Sequence, residues 1–233
     1  MPAARATGQG SVGAAQNRVY LDQSGAGTGP FAECVALLDG GGNIIAPSSS
    51  ASPTATMTKP SDATAYAAGD IIANSLTAAS VVPLTFANAL KSLTGSGRLM
   101  GARCVVTPAS GNLVITNFAF DLLVFRPGTN IPFAAAGFPA DNAAMAVSAA
   151  AMRELITVFQ FVAGAWRNPA GGVAAGGASG WQAIGNPTGR TSAPFDLASL
   201  NANSLVGVLQ AQAAWTPGAV AQQFDFVLDV EGA

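Results

Sequence analysis

Carboxylates are the only strong candidates for general acid–base chemistry in this sequence, because it contains no histidine. The candidates are Asp225 with Asp229, and Glu154, Asp121 or Asp141. Asp225 and Asp229 are four residues apart in an alternating segment, so on a strand they share a face at a separation of roughly 13 Å. That separation is too long for the carboxyl pair of a glycoside hydrolase. We therefore interpret these two carboxylates as solvated charges on the outer face of a strand.

The absence of histidine also removes the commonest general base and metal ligand, so a Ser-His-Asp or Cys-His site cannot be built within this sequence. Cys34 and Cys104 lie among apolar neighbours, which favours two buried, reduced thiols and leaves a disulfide between them open. The glycine-rich stretches 25–30 and 95–100 match no phosphate-binding or dinucleotide-binding motif. The sequence thus predicts no catalytic residue, no metal and no cofactor, and we expect a protein that is not an enzyme.

Aromatic residues in irregular segments are the remaining candidates for function. Trp166, Trp181 and Trp215 lie in or near segments rich in Gly and Pro, and Tyr20 lies in a short apolar patch near the N-terminus. Such side chains can anchor a protein interface or stack on sugars. We take these four as candidate contact residues. A neighbouring subunit is the favoured contact partner, and a glycan is the less favoured one. Packing of a loop onto its own domain is the alternative for the tryptophans, and the sequence favours it over either kind of contact.

Low charge is the strongest compositional signal. Asp, Glu, Lys and Arg make up 9% of the 233 residues and apolar residues make up 50%, whereas about 25% of an ordinary soluble domain is charged. Much of the surface must therefore consist of Ala, Gly, Ser, Thr, Asn and Gln. Such a surface can be buried against a neighbour without removing charges from water. The composition favours a subunit of an assembly over a catalyst.

Charge and hydropathy also bear on partners. The ten basic residues are scattered singly and the net charge is −2, which is not typical of a protein that neutralises phosphates, so we expect no nucleic acid. No stretch reaches the ~20 consecutive apolar residues of a membrane-spanning helix. The N-terminal residues also lack the apolar region of a signal peptide. We therefore expect no membrane partner, and synthesis in a cytoplasm.

Turn residues divide the chain into an N-terminal part and a main domain. Residues 1–30 are rich in Gly, Ala, Ser and Gln and predict an extended arm. Residues 31–46 predict a hairpin around Asp39–Asn43, and residues 47–62 predict a Pro/Ser/Thr linker. The main domain is then expected to run over 63–233, with a long Gly-rich loop at 166–191.

Period-2 alternation predicts the fold of the main domain. The clearest strands are expected at 117–126 and 223–230, and each carries apolar residues at alternate positions. A short helix is expected from Asn142 to Leu155, with Ser148 as a cap. The remaining predicted strands are short and lie at 70–72, 81–86, 99–107, 113–116, 156–162 and 205–212. We predict a mainly β fold: an antiparallel, jelly-roll-like β-sandwich with a minor helix and an extended N-terminal arm.

Residues 63–166 contain a series of motifs in a recognisable order: Tyr66–Ile72, a strand at Phe86, Gly95–Ala102, Phe118–Phe125 with the exit Arg126-Pro127, the pair Asp141-Asn142, and Ile156–Phe161. In this order and spacing the segment resembles the capsid decoration or cement proteins of tailed bacteriophages. It implies a non-enzymatic β-sandwich subunit, often a homotrimer, that binds the major capsid protein at threefold positions of the outer capsid surface. It therefore implies a location on the virion after synthesis in the host cytoplasm.

Two other functions are compatible with the sequence. One is a different virion component, such as a tail-tube, baseplate or head-fibre base protein. The other is a glycan-binding module that uses the loop tryptophans. An enzyme that uses carboxylates is the least favoured alternative, and it would depend on Glu154 or Asp225.

Overall fold

The computed structural model describes residues 50–90, 95–108, 118–128, 139–167, 181–187, 192–197, 200 and 202–232, with the backbone of short strands between 18 and 49. The chain divides into two compact units, residues 1–49 (with Ala233) and residues 50–232. The second compact unit begins at residue 50, whereas the sequence places the start of the main domain near residue 63.

The N-terminal unit contains two small antiparallel pairs of strands. Strand β1 (Arg18–Asp22) pairs with β2 (Phe31–Val35), and β3 (Leu37–Leu38) pairs with β4 (Ile44–Ile45). The second pair brings Leu38 opposite Ile44, so the hairpin predicted over 31–46 is confirmed for these strands. The predicted turn itself, Asp39–Asn43, lies outside the described residues.

The second unit is built from short and medium strands with one helical turn. Its strands are β5 (Ser49–Ala51), β6 (Thr54–Lys59), β7 (Ile71–Ile72), β8 (Leu84–Phe86), β9 (Ser96–Pro108), β10 (Phe120–Phe125), β11 (Leu155–Phe161), β12 (Trp181–Pro187), β13 (Ala193–Asp196), β14 (Leu205–Ala211) and β15 (Gln222–Gly232). The helix is α1 (Ala149–Met152), and single 3₁₀ turns lie at Ala78–Ser80 and Ala163–Ala165.

The strands form two antiparallel sheets that share β12. In sheet I, β15 lies between β9 and β6, with β5 also beside β15, and the other edge of β9 pairs with β12 and β13. In sheet II, β10 lies between β11 and β14, and the far edge of β14 pairs with β7 and β8. The first part of β12 pairs with β9, and its last two residues pair with β11. The chain therefore passes from one sheet to the other within a single strand.

Alternating apolar side chains of the two sheets meet in one core. Phe224 and Phe226 of β15 point inward, as the alternation of 223–230 predicts. Phe120 of sheet II meets both rings edge-on, with centroids 5.8 and 6.1 Å apart. Phe161 of β11 contacts Phe226 in the same way, at 6.0 Å. Interdigitated aromatic rings from facing sheets are the packing of a β-sandwich, so the predicted fold class is confirmed.

Sheet II is also covered on its outer face. Leu123 and Phe125 of β10 point away from the sandwich core and are buried there with Ile71, Ala73 and Val208. The cover comes from the segments 69–82 and 139–155. These two segments are joined by backbone hydrogen bonds, including those from the Ile71 amide to the Ala143 carbonyl and from the Asn142 amide back to the Ile71 carbonyl. Strand β10 is therefore buried on both faces, with only Asp121 half-buried.

Two predicted elements differ from the structure. The helix expected over Asn142–Leu155 is one turn, α1, because residues before it pair with the 69–75 segment and Asn142 adopts a left-handed conformation with φ 62°. Its predicted cap is confirmed, since Ser148 Oγ accepts a hydrogen bond from the Ala151 amide at 3.1 Å. The loop expected over 166–191 contains β12, whose pairing comes from distant strands and not from its own pattern.

Within the described part of the chain, no helix is long and apolar enough to cross a membrane.

Candidate interaction face and buried polar site

Trp166 lies in the core of the sandwich and not on its surface. Its side chain is 4% exposed, and its ring packs on Phe118 with centroids 4.7 Å apart. The indole Nε1 donates a hydrogen bond to the Phe118 carbonyl at 2.8 Å, so the polar atom is also satisfied. The prediction of a contact role for Trp166 is therefore corrected: the residue fixes the end of the 3₁₀ turn Ala163–Ala165 onto the domain, which was the alternative.

Trp215 is also buried in the core of the sandwich. It is 3% exposed, stacks on Tyr66 with ring centroids 5.2 Å apart, and contacts Phe118 at 4.5 Å. Backbone hydrogen bonds join Trp215 and Tyr66 in both directions. Its predicted contact role is corrected for the same reason, burial within the domain. The side chains of the other two candidates, Tyr20 and Trp181, lie outside the described residues.

The outer face of sheet I is the candidate interaction face, and we call it the threonine face. Antiparallel register places its members in adjacent rows across β6, β15, β9 and β12. Within the described ranges of residues 50–232 no other element covers it, and Ile184 on β12 is 61% exposed. Its side chains are Thr54, Thr56, Thr58, Arg103, Val105, Thr107, Ile184, Gln223, Asp225, Val227 and Asp229.

The few charges on the threonine face are locally compensated. Asp225 accepts hydrogen bonds from Thr56 Oγ1 at 2.7 Å and from Gln223 Nε2 at 2.9 Å. Arg103 lies 3.4 Å from Asp229 across the neighbouring strands. The interpretation of Asp225 and Asp229 as outer-face charges is confirmed. The face as a whole is nearly neutral and rich in β-branched side chains.

Glu154 and Asp121 also have structural partners. Glu154 forms an ion pair with Arg126 at 2.9 Å and ties the start of β11 to the end of β10. Asp121 lies on β10 and accepts a hydrogen bond from Gln212 Nε2. Partial burial raises the pKa of Asp121, and the hydrogen bonds from Gln212 and Gln160 oppose that shift. Among the described residues, the contacts of Glu154 and Asp121 are with a cation and an amide, and not with the second carboxylate that a glycoside hydrolase requires.

We expect Asp121→Asn to change how stability depends on pH. Because the folded pKa of Asp121 lies above its ordinary value of 3.8, the native state binds more protons than the unfolded state between the two values. The contribution of this group to the free energy of unfolding therefore falls as pH rises through that window. Urea titrations from acid to neutral pH should show the wild type losing stability relative to Asp121→Asn over that range. If the free energy of unfolding of the wild type relative to Asp121→Asn stayed constant or rose with pH, the raised pKa of Asp121 would be contradicted.

A buried polar site lies at one end of the core, around Asp141. The Tyr66 hydroxyl lies 2.7 Å from both oxygens of the Asp141 carboxyl group and shares its single hydrogen between them, and Oδ1 also accepts a hydrogen bond from the Ala73 amide at 2.7 Å. The position of Asp141 is set by the backbone pairing of the 139–145 segment with residues 69–75. Its side chain is completely buried.

Lys59 enters the same site from the end of β6. Its side chain is also completely buried, and Nζ lies 3.9 Å from Oδ2 of Asp141. Nζ donates hydrogen bonds to the backbone carbonyls of Pro60 at 3.0 Å and Asp62 at 2.9 Å. It also lies 5.6 Å from the centre of the Tyr66 ring, within the range of a cation–π contact.

Burial dominates the electrostatics of this site. Desolvation raises the pKa of Asp141, although the hydrogen bonds from Ala73 and Tyr66 and the charge of Lys59 oppose it. Desolvation also lowers the pKa of Lys59, against the attraction of Asp141 and Asp62. The pKa of Tyr66 is raised by its burial and by the Asp141 charge, so its hydroxyl remains a donor. The amine and the carboxyl group are each moved toward their neutral forms.

Sequence reasoning named Asp141 as a candidate but missed Lys59 and Tyr66 as its partners. The signal for Lys59 was present, because Ala55, Met57 and Lys59 alternate with three threonines and therefore share the inner face of β6. The Pro/Ser/Thr composition of 47–62 instead indicated a linker, and that prediction is wrong for 54–59. The pairing of β6 with β15 stabilises this strand.

Gln222 is a second polar residue in the core. It lies opposite Lys59 in the pairing of β6 with β15 and is completely buried. Neither its amide nitrogen nor its amide oxygen has a hydrogen-bond partner in the described part of the chain. An unpaired buried amide is unfavourable, because both atoms lose their bonds to water on folding.

We therefore expect Gln222→Met, which has a similar shape and no polar amide, to raise the free energy of unfolding by about 1–3 kcal/mol. Urea denaturation at neutral pH measures the difference. Gln223→Met, at the exposed neighbouring position, is the matched control and should change stability by at most about 0.5 kcal/mol. A destabilised Gln222→Met would show that the amide has partners in solution.

Cys104 is buried in β9 as a free thiol, and burial raises its pKa; Cys34 lies outside the residues whose side chains are described. In the described ranges no group of three or more Cys, Asp and Glu side chains is placed to hold a metal ion.

Comparison with protein-family models, with curated proteins and with solved structures found no match to this chain.

Proposed function

We propose that this protein is a non-enzymatic structural component of a phage virion, which decorates and stabilises the capsid as an oligomer, with a trimer as the favoured state. The resemblance of residues 63–166 to capsid decoration proteins suggests this role. The observation that carries it is the threonine face, a β-sheet surface of low charge that no other element covers within the described ranges of residues 50–232. Its partners would be the major capsid protein and further copies of the same chain.

The chemistry of the threonine face suits association. Arg103 and Asp229 form an ion pair at 3.4 Å, and Asp225 accepts hydrogen bonds from Thr56 and Gln223, so each of these charged groups keeps a polar partner when a neighbour covers the face. The β-branched side chains of Thr, Val and Ile are conformationally stiff and lose little entropy when they are covered. Repetition of one such contact over a symmetric lattice adds many weak interactions.

The remaining candidate functions have less support. The glycan-binding alternative depended on the three tryptophans, and Trp166 and Trp215 are buried. The carboxylates that an enzyme would use are engaged in ion pairs or hydrogen bonds within the fold. A different position in the virion, such as the tail or baseplate, uses the same surface chemistry and is separated by the experiment below.

Immunogold electron microscopy of particles from the producing culture tests the location, with an antibody against this chain. We expect uniform label over the heads. Label confined to tails or vertices would overturn the decoration role in favour of another virion component. Particles without label would overturn the virion role, and the next test would then be glycan-array binding by wild type and Trp181→Ala.

Variants of the threonine face test whether this surface attaches the protein. Ile184→Lys places a charge at an exposed position of the face and should lower the amount of protein on purified particles at least tenfold. Met152→Lys, at an exposed position on α1 and off the face, is the matched control and should bind as wild type does. Equal binding by Ile184→Lys would show that another surface makes the contact.

A further inference from the structure

The buried site around Asp141 brings an amine and a carboxyl group together out of contact with bulk solvent. Lys59 Nζ lies 3.9 Å from Asp141 Oδ2, and both side chains are completely buried. The two residues belong to segments far apart in the chain, one at the end of β6 and the other in the cover over sheet II. A bond between them would close a large loop.

The hydrogen bonds of Asp141 distinguish its two oxygens. Oδ1 accepts from the Ala73 amide and from the Tyr66 hydroxyl, both at 2.7 Å. Two donors at one carboxyl oxygen can stabilise negative charge that develops there when a nucleophile adds to the carbon. Oδ2 faces the lysine, and the Tyr66 hydroxyl is also 2.7 Å from it.

The geometry points to an intramolecular isopeptide bond between Lys59 Nζ and the side-chain carbon of Asp141, formed by the folded protein itself. In the first step a proton passes from the ammonium group to the carboxylate, which leaves a neutral amine and a carboxylic acid. The amine nitrogen then adds to the carboxyl carbon. The bond from that carbon to Oδ2 breaks, and Oδ2 leaves as water with the acid proton and one proton from nitrogen. Atoms and charge balance without an oxidant, reductant or co-reactant.

Tyr66 would be the catalytic residue of this step. Its hydroxyl contacts both oxygens, so it can stabilise charge on Oδ1 and relay the proton that Oδ2 receives. Nζ must first release one of its carbonyl acceptors, Pro60 or Asp62, to approach the carbon. The flexible four-carbon side chain of lysine permits that movement.

Burial favours the product. Two buried charges are unfavourable unless they are fully compensated, and the amide removes both of them. The directions of the pKa shifts agree, since desolvation lowers the pKa of Lys59 and raises that of Asp141. Exclusion of water from the site would also slow hydrolysis of the bond once it has formed.

The intact mass of the purified, denatured protein tests the inference. We expect a wild-type mass lower than that of the sequence by one water molecule, and a fragment map in which the segments around residues 59 and 141 are joined. Lys59 and Lys91 are the only lysines in the sequence, which provides a matched pair. Lys59→Arg should restore the full mass, whereas Lys91→Arg should retain the deficit.

Tyr66→Phe keeps the ring beside Trp215 and removes only the hydroxyl, so the fraction of freshly purified protein that shows the mass deficit should fall at least tenfold relative to wild type. A full-mass wild type with a native circular dichroism spectrum would overturn the inference. A deficit that persists in Lys59→Arg would also overturn it, because the water would then be lost elsewhere, for example at Asp39-Gly40. The fragment map of the wild type decides the matter even if a variant does not fold. This inference does not depend on the proposed virion role, and the mass measurement needs no particle.

Discussion

Asp141→Ala is expected to lower the free energy of unfolding by about 3–5 kcal/mol, because it leaves the buried Lys59 amine without its carboxyl partner. Lys59 has no exposed side-chain surface and cannot regain water without opening the site. The change also removes the acceptor for the Tyr66 hydroxyl and the Ala73 amide, which are both buried. Few other single changes at a polar residue of this chain should be as damaging.

Urea denaturation of a matched series measures this effect. The double variant with Lys59→Met and Asp141→Ala should be more stable than Asp141→Ala alone, since no charged group is then left in the core. Asp229→Ala removes a carboxylate from an exposed ion pair and should cost at most about 1 kcal/mol. The interpretation fails if the double variant is less stable than the single one, or if Asp141→Ala matches Asp229→Ala.

Phe118→Ala is the second large effect that we expect, again a loss of about 3–5 kcal/mol. Phe118 is fully buried, and its ring contacts Phe120, Trp166, Trp215 and Phe224 at centroid distances of 5.3, 4.7, 4.5 and 6.0 Å. These rings come from both sheets and from the loops at one end of the sandwich. Truncation leaves a cavity that the neighbours can fill only by moving apart from their own partners.

Thermal and urea denaturation give the magnitude, and tryptophan fluorescence reports on the two indole rings beside Phe118. Phe118→Leu should cost less than Phe118→Ala, because part of the volume is retained. Leu76→Ala is the surface control: Leu76 is 54% exposed, and the change should stay within about 0.5 kcal/mol. A Phe118→Ala variant as stable as Leu76→Ala would show that the ring cluster does not hold the two sheets together.

Strands with clean alternation could be predicted from the sequence. Phe224 and Phe226 face the core while Asp225 faces solvent, because successive side chains of a strand point to opposite faces. The same alternation of apolar and polar residues is visible in the sequence. The hairpin strands at Leu37–Leu38 and Ile44–Ile45 and the cap at Ser148 were also predictable, since turn and cap chemistry acts over only a few residues.

Elements that depend on distant partners could not be predicted in the same way. Strand β6 has an alternating pattern but a linker-like composition, and its pairing with β15 near the other end of the domain decides the matter. Strand β12 lies in a Gly-rich region and is held by β9 and β11. Local patterns show which way a side chain points on a strand, but not which strands pair.

The sequence by itself determined the absence of histidine chemistry, the low charge and the mainly β fold, because composition and period-2 alternation are properties of the chain alone. Only the tertiary structure decided which candidate residues are buried and which of them contact each other. Trp166 and Trp215 became core because the sandwich end closes over them. Asp141 contacts Lys59 because the segment 139–155, which covers sheet II, lies against the end of β6. Which buried groups meet depends on how the sheets and their covering segments pack, and that packing is a long-range property that local sequence does not encode.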